Sequence, residues 1–111
     1  MKDALFLLFA LLIFTTTSVF AAKLRIDGAT QETTTASIQA MYAAHGNRET
    51  CLLQTAILRI QIGDKAEQVA KTGDKNAAPT PLGPKIDGMT YKEVIKFSKK
   101  YPEKVKGLCR D

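Results

Sequence analysis

The chain of 111 residues has one histidine and two cysteines. It has no apolar run approaching the roughly 20 residues that a helix needs to cross a bilayer. Each shortage removes a class of chemistry. With His45 as the sole imidazole and no C-x-x-C pair, neither a His-pair nor a four-cysteine metal centre is encoded. The scattered glycines make neither G-x-G-x-x-G nor G-x-x-x-x-G-K, so no phosphate loop is present, and H-E-x-x-H and G-x-S-x-G are missing too. A Ser-His-Asp triad would have to combine His45 with Ser37 or Ser98, and Ser37 falls on a different face of its helix. The expectation is a protein that is not an enzyme and carries no cofactor and no metal.

What is present begins with an address. Met1-Lys2 precedes eleven apolar residues, Ala4 to Phe14, and a small-polar stretch that closes in Val19-Phe20-Ala21. This is the pattern of a cleaved secretory signal peptide, residues 1–21, with Val19 and Ala21 suited to the −3 and −1 pockets of a signal peptidase. No cysteine stands directly after the expected cut, so the expected product is periplasmic, soluble and not membrane-anchored, a single small domain over residues 22–111. In an oxidising compartment Cys51 and Cys109 favour one intramolecular disulfide over a free buried pair or a metal site.

The hexapeptide Arg25-Ile26-Asp27-Gly28-Ala29-Thr30 returns sixty residues later as Lys85-Ile86-Asp87-Gly88-Met89-Thr90. Asp-Gly reads as a tight turn with a glycine free to take positive φ, and Thr as a helix N-cap. Thr90-Tyr91-Lys92-Glu93 is also a capping box. A paired carboxylate site would need Asp27 and Asp87 close in space, which the sequence does not establish.

Ile38, Met41, Tyr42 and His45 share one face of a helix expected over 31–44, whose Thr33, Thr34 and Thr35 are weak helix formers and should fray. Gly46 ends it, and Asn47 should cap a second helix, 48–62, with Leu52, Leu53, Ala56, Ile57 and Ile60 as the centre of the core. Gly46-Asn47 is short enough to fold the pair into an antiparallel hairpin. Gly63 should stop the second helix, and Asp64 should open a short third one to Lys71. Residues 74–84, with Pro79, Pro81 and Pro84, read as an extended connector. A last helix from Tyr91 turns Tyr91, Val94, Ile95, Ser98 and Tyr101 inward, Pro102 interrupts it, and a turn over 103–106 leads to Cys109. The fold class expected is all-α, a small bundle of three to four helices with one disulfide.

The formal charge is +5, of which +4 lies from Lys85 onward. Lys92, Lys96, Lys99 and Lys100 form its outward face, a candidate docking face for an acidic envelope protein, an anionic polymer or a headgroup surface. Few aromatics are interleaved with these lysines, which argues against nucleic acid.

The two hexapeptides together with Asp87-Gly88-Met89-Thr90, Glu93, Val94 and Ile95 resemble an uncharacterised family of small bacterial exported proteins and lipoproteins with a D-G-x-T helix-opening motif. The resemblance implies a helical fold in a Gram-negative envelope and lends no activity or site residue. The function expected is a small periplasmic non-enzymatic binding or accessory module, with an immunity-type protein or inhibitor of an envelope-acting enzyme as the alternative.

Overall fold

A computed structural model of the chain describes residues 23–103 and Cys109. The expected signal peptide, and Lys104 and Lys106 of the expected turn, lie outside the described residues. Among the described residues the architecture is all-α: α1 Gln31–Ala44, α2 Asn47–Thr72, α3 Leu82–Ile86 and α4 Tyr91–Ser98. The Cys51–Cys109 disulfide is formed across a sequence separation of 58.

Helix α1 starts where its cap places it. Thr30 Oγ1 accepts the Thr33 N–H at 3.0 Å and the Thr33 hydroxyl accepts the Thr30 N–H at 3.0 Å, a reciprocal box. Thr34 Oγ1 donates to the Thr30 carbonyl at 2.6 Å. Thr33 and Thr34, expected to fray this turn, therefore tie it together, the Thr33 box satisfying N–H groups that a helix start leaves unpaired. At the next junction Gly46 is the cap residue and Asn47 is already helical, so the expected Asn47 cap is not made.

The larger correction concerns α2. It is one helix of 26 residues, about 39 Å at 1.5 Å per residue, and Gly63 does not break it. The missing side chain is used instead as a notch. A Cβ on Gly63 would overlap the Tyr101 ring, 2.7 Å from Cγ and 2.8 Å from Cβ. Helix α2 ends at Gly73, which takes φ 71° and donates its N–H to Val69 O at 2.8 Å. The connector is also shorter than expected, since Leu82 to Pro84 already belong to α3. Pro84 is accommodated there because first-turn N–H groups have no intrahelical acceptor.

Helices α2 and α4 make the most extensive helix–helix contact. They run in the same direction: Tyr91 OH donates to Glu49 O near the start, and Arg59 Nε donates to Tyr101 O at 2.7 Å near the end. Parallel helices need a return path, and residues 73–90 supply it. The core gathers Ile26, Ile38, Met41, Leu53, Ala56, Ile57, Ile60, Ile86, Val94 and Tyr101 from the four helices and the segments just before α1 and just after α4. Each large aliphatic buried there contributes roughly 1.5–3 kcal/mol. Leu52, expected inside, is 39% exposed. Helix α4 closes with i→i+3 bonds from Lys99, Lys100 and Tyr101, which tighten the last turn before Pro102.

Candidate functional site

The two hexapeptides meet. Ile26 N donates to Met89 O at 2.9 Å and Gly88 N donates to Ile26 O at 2.8 Å, around an antiparallel bridge between Arg25 and Thr90. No other β pairing occurs among the described residues. Gly88 takes φ 77°, as a turn glycine should, but Gly28 does not take a positive φ. Gly28 is required for a different reason: a Cβ there would fall on the Gly83 carbonyl, and one on Gly83 would lie 2.6 Å from Gly28 O. The backbone of α3 and the first hexapeptide touch directly.

Asp27 and Asp87, the carboxylates of the two copies, are spent on this junction. Asp27 Oδ1 accepts the Ala29 N–H at 3.1 Å, and Asp87 Oδ1 crosses over to accept the Gly28 N–H at 2.8 Å. Among the described residues no group of three or more His, Cys, Asp or Glu side chains is placed to hold a metal ion. Glu93 completes the second capping box with Thr90 and also meets Arg25 Nη1 at 3.4 Å. The Thr90 N–H and hydroxyl, with Arg25, hold its carboxyl below the usual range.

His45 caps α1. Its Nδ1 lies 2.8 Å from the Met41 carbonyl oxygen, so that nitrogen carries the donated proton, and the ring stacks on Tyr91 at 4.3 Å and 20°. Ser37 donates to Thr33 O at 2.7 Å and accepts the Asp27 N–H, while Ser98 donates to Ile95 O at 2.6 Å. Each group a hydrolytic triad would require is thus bound into its own helix or turn.

The structure adds one cluster that the sequence reading missed. Asp64, expected as a cap, is 1% exposed in the middle of α2. Its Oδ2 accepts both the N–H of Thr80 at 2.6 Å and its hydroxyl at 2.8 Å, and its Oδ1 faces the Lys85 ammonium at 2.9 Å. Burial alone would raise the Asp64 carboxyl, but Lys85 and the two Thr80 donors outweigh it and hold it below its ordinary value. The same contact raises Lys85. This clasp fastens the proline-rich segment to α2. Beside it opens a cleft of about 570 Å³ whose walls include Thr30, Thr34, Gln61, Pro79 and Pro81 over Ile38. Its lining carries no charged side chain.

The remaining candidate lies on α4. Lys92, Lys96, Lys99 and Lys100 are all exposed. Lys100 Nζ lies 5.7 Å from the Phe97 ring centroid, and none of the four is in ion-pair contact with an acid among the described residues. These are the residues the charge pattern singled out. No family model, no curated protein and no solved structure matches this chain.

Proposed function

We propose that this protein is a small exported binding or accessory module of the periplasm, without catalytic activity of its own, that meets an acidic partner through the lysine face of α4. The observation that carries the reading is the division of labour among the polar side chains. Asp27, Asp64, Asp87, Glu93, His45, Ser37 and Ser98 are engaged in caps, turns and the Asp64 clasp, whereas Lys92, Lys96 and Lys99 are exposed without an acidic partner among the described residues. A disulfide is the mark of an oxidising compartment, and no helix among the described residues is long and apolar enough to cross a membrane. Both agree with export through a leader cleaved after Ala21, and with the resemblance to small exported proteins.

The test is recovery from the producing cell. The protein should appear in the osmotic-shock fraction, its intact mass beginning at Ala22 or Lys23 with no lipid adduct. A C-terminal tag should then capture an acidic partner in an interaction that salt weakens. Recovery in the cytoplasm with Met1 retained would overturn the reading. Stoichiometric capture of a wall-degrading enzyme whose activity falls on binding would replace it with the inhibitor alternative.

A further inference from the structure

Helix α4 has only eight residues, a length at which isolated helices are unstable and local charge pairs count. Lys92 and Lys96 are four apart, as are Lys96 and Lys100, and Lys96 and Lys99 are three apart, spacings at which like charges repel. The one acid of the helix could relieve them. Glu93 is three residues from Lys96, but its carboxylate is turned to the Thr90 N–H at 3.1 Å and to Arg25. Among the described residues no carboxylate pairs with the row.

Helix-dipole stabilisation accounts for part of it, because cations suit a helix C-terminus. It does not account for Lys92, which stands in the first turn, where a cation is disfavoured, and which extends the row toward the N-terminus. A face needed only for solubility would be served by mixed charges. The composition is also one-sided. All four cations are lysine, compact hydrated point charges, and none is arginine, whose planar fork recognises a single carboxylate or phosphate in two-point geometry. They lie along the outside of one helix and its closing turn, an outward surface of a kind that suits a diffuse anionic plane better than one oriented ligand.

We propose that the Lys92–Lys96–Lys99 row, with Lys100, seats the protein on an anionic phospholipid headgroup surface. The proposal rests on the reading of an exported binding module and names its partner as a membrane surface, with an acidic protein as the competing outcome. Lysine ammoniums near such a surface each strengthen binding by a factor of about five, so the row supplies peripheral, salt-sensitive attachment without an inserted segment.

The experiment uses the protein as recovered from its producing cells, disulfide intact, in co-sedimentation with vesicles of equal parts phosphatidylglycerol and phosphatidylcholine. It should bind these at low salt, leave pure phosphatidylcholine vesicles unbound, and dissociate at about 1 M salt, where the Debye length is about 3 Å. Replacing Lys92, Lys96 and Lys99 together by Gln should weaken the partition roughly a hundredfold, and each single replacement about fivefold. Replacing Lys65, Lys71 and Lys75 by Gln removes the same charge from α2 and the loop after it and should leave binding in place. Equal loss in the two triple variants, or no binding to phosphatidylglycerol, would overturn the proposal. Retention on immobilised polyglutamate without vesicle binding would also overturn it while leaving the binding-module reading standing. That reading fails separately, at fractionation, before any vesicle is added.

Discussion

Gly63→Ala offers a sharp test of how α2 and α4 are joined, because two known effects act on it with opposite sign. In the interior of a helix, alanine is favoured over glycine by about 0.8–1.0 kcal/mol, and Gly63 sits well inside the 26 residues of α2. Against this, the new methyl would overlap Tyr101 at the root of its side chain, 2.7 Å from Cγ and 2.8 Å from Cβ. A flexible side-chain tip would swing away, but Tyr101 is held at its base. It is 4% exposed, its carbonyl accepts Arg59 Nε at 2.7 Å, its N–H donates to Ser98 O at 3.1 Å, and Pro102 follows directly. Relief requires the end of α4 to move away from α2. Overpacking of a fixed site costs typically about 1–3 kcal/mol, so after the propensity gain roughly 0–2 kcal/mol remains, and Gly63→Ala should destabilise the protein by about 1 kcal/mol.

The assay is thermal or urea unfolding with the disulfide intact, where a loss of about 1 kcal/mol lowers the midpoint of a domain this size by roughly 4–8 °C. The diagnostic measurement is the double-mutant cycle. In a Tyr101→Ala background Cγ and the ring are gone and only the contact with Cβ at 2.8 Å remains, so the same Gly63→Ala change should cost clearly less than in the native protein, a coupling within the roughly 0.5–3 kcal/mol seen for residues in contact. Stabilisation by Gly63→Ala in the native background would refute the notch and return Gly63 to the role of an incidental helix glycine.

Four further outcomes follow from the same structure. Lys85→Met should cost about 3–5 kcal/mol, as breaking a buried pair does, and more than Asp64→Asn, because a stranded Asp64 is 1% exposed whereas the Lys85 side chain is 22% exposed and can turn to water; chemical denaturation that ranks them the other way contradicts the assignment. The Asp64 carboxyl is lowered in the folded state, so its contribution is complete above the ordinary carboxylate value and disappears as pH falls through the folded one, while the raised Lys85 loses its share only as pH climbs through its own; acid unfolding should accordingly be steeper in the native protein than in Asp64→Asn. Thiol titration in denaturant without reductant should find no free thiol, and reduction of Cys51–Cys109 should lower stability by about 4 kcal/mol on the chain-entropy model. Ile57→Ala should cost roughly 2–5 kcal/mol and Lys96→Ala about 0.5 kcal/mol or less, by equilibrium unfolding; equal effects would mean that the buried face of α2 is wrongly placed.

The parts of this fold that were legible in the sequence are those governed by neighbours in the chain. Helix α1 covers the residues that its periodicity and flanking signals mark out, and α4 opens at the Thr90 box, because capping is a matter of hydroxyls and N–H groups three residues apart. The disulfide followed from an even count of two cysteines read against the oxidising compartment expected for the chain. What failed was the local reading of residues whose reason lies across space. Gly63-Asp64 has the form of a helix stop followed by a cap, yet the glycine answers to Tyr101 and the aspartate to Thr80 and Lys85. Nothing in the sequence near 63 announces partners 16, 21 and 38 residues away. The lysine face was visible as a charge count, but that no acid among the described residues pairs with it depends on where Glu93 points, which only the fold decides.

The repeated hexapeptide shows how one sequence pattern serves two physical ends. In both copies the isoleucine is buried, Ile26 at 2% and Ile86 at 0% exposure, and the threonine opens a helix, so the shared residues do shared work at those positions. At Asp-Gly the copies diverge. Gly88 supplies the left-handed turn that carries α3 into α4, whereas Gly28 gives up its side chain so that the Gly83 backbone can approach, and Asp87 reaches across to the N–H of Gly28 itself. The copies are therefore the two sides of one junction, in which each supplies what the other lacks. That junction fixes the start of α4 through Arg25, which binds Gly88 O at 2.7 Å and Glu93 at 3.4 Å. The Thr90 N–H and Arg25 together turn the helix's only carboxylate toward the N-terminus of α4. Arg25 therefore touches both the pairing of the two motifs, through Gly88 O, and the carboxylate that the Thr90 capping box already holds at the helix start.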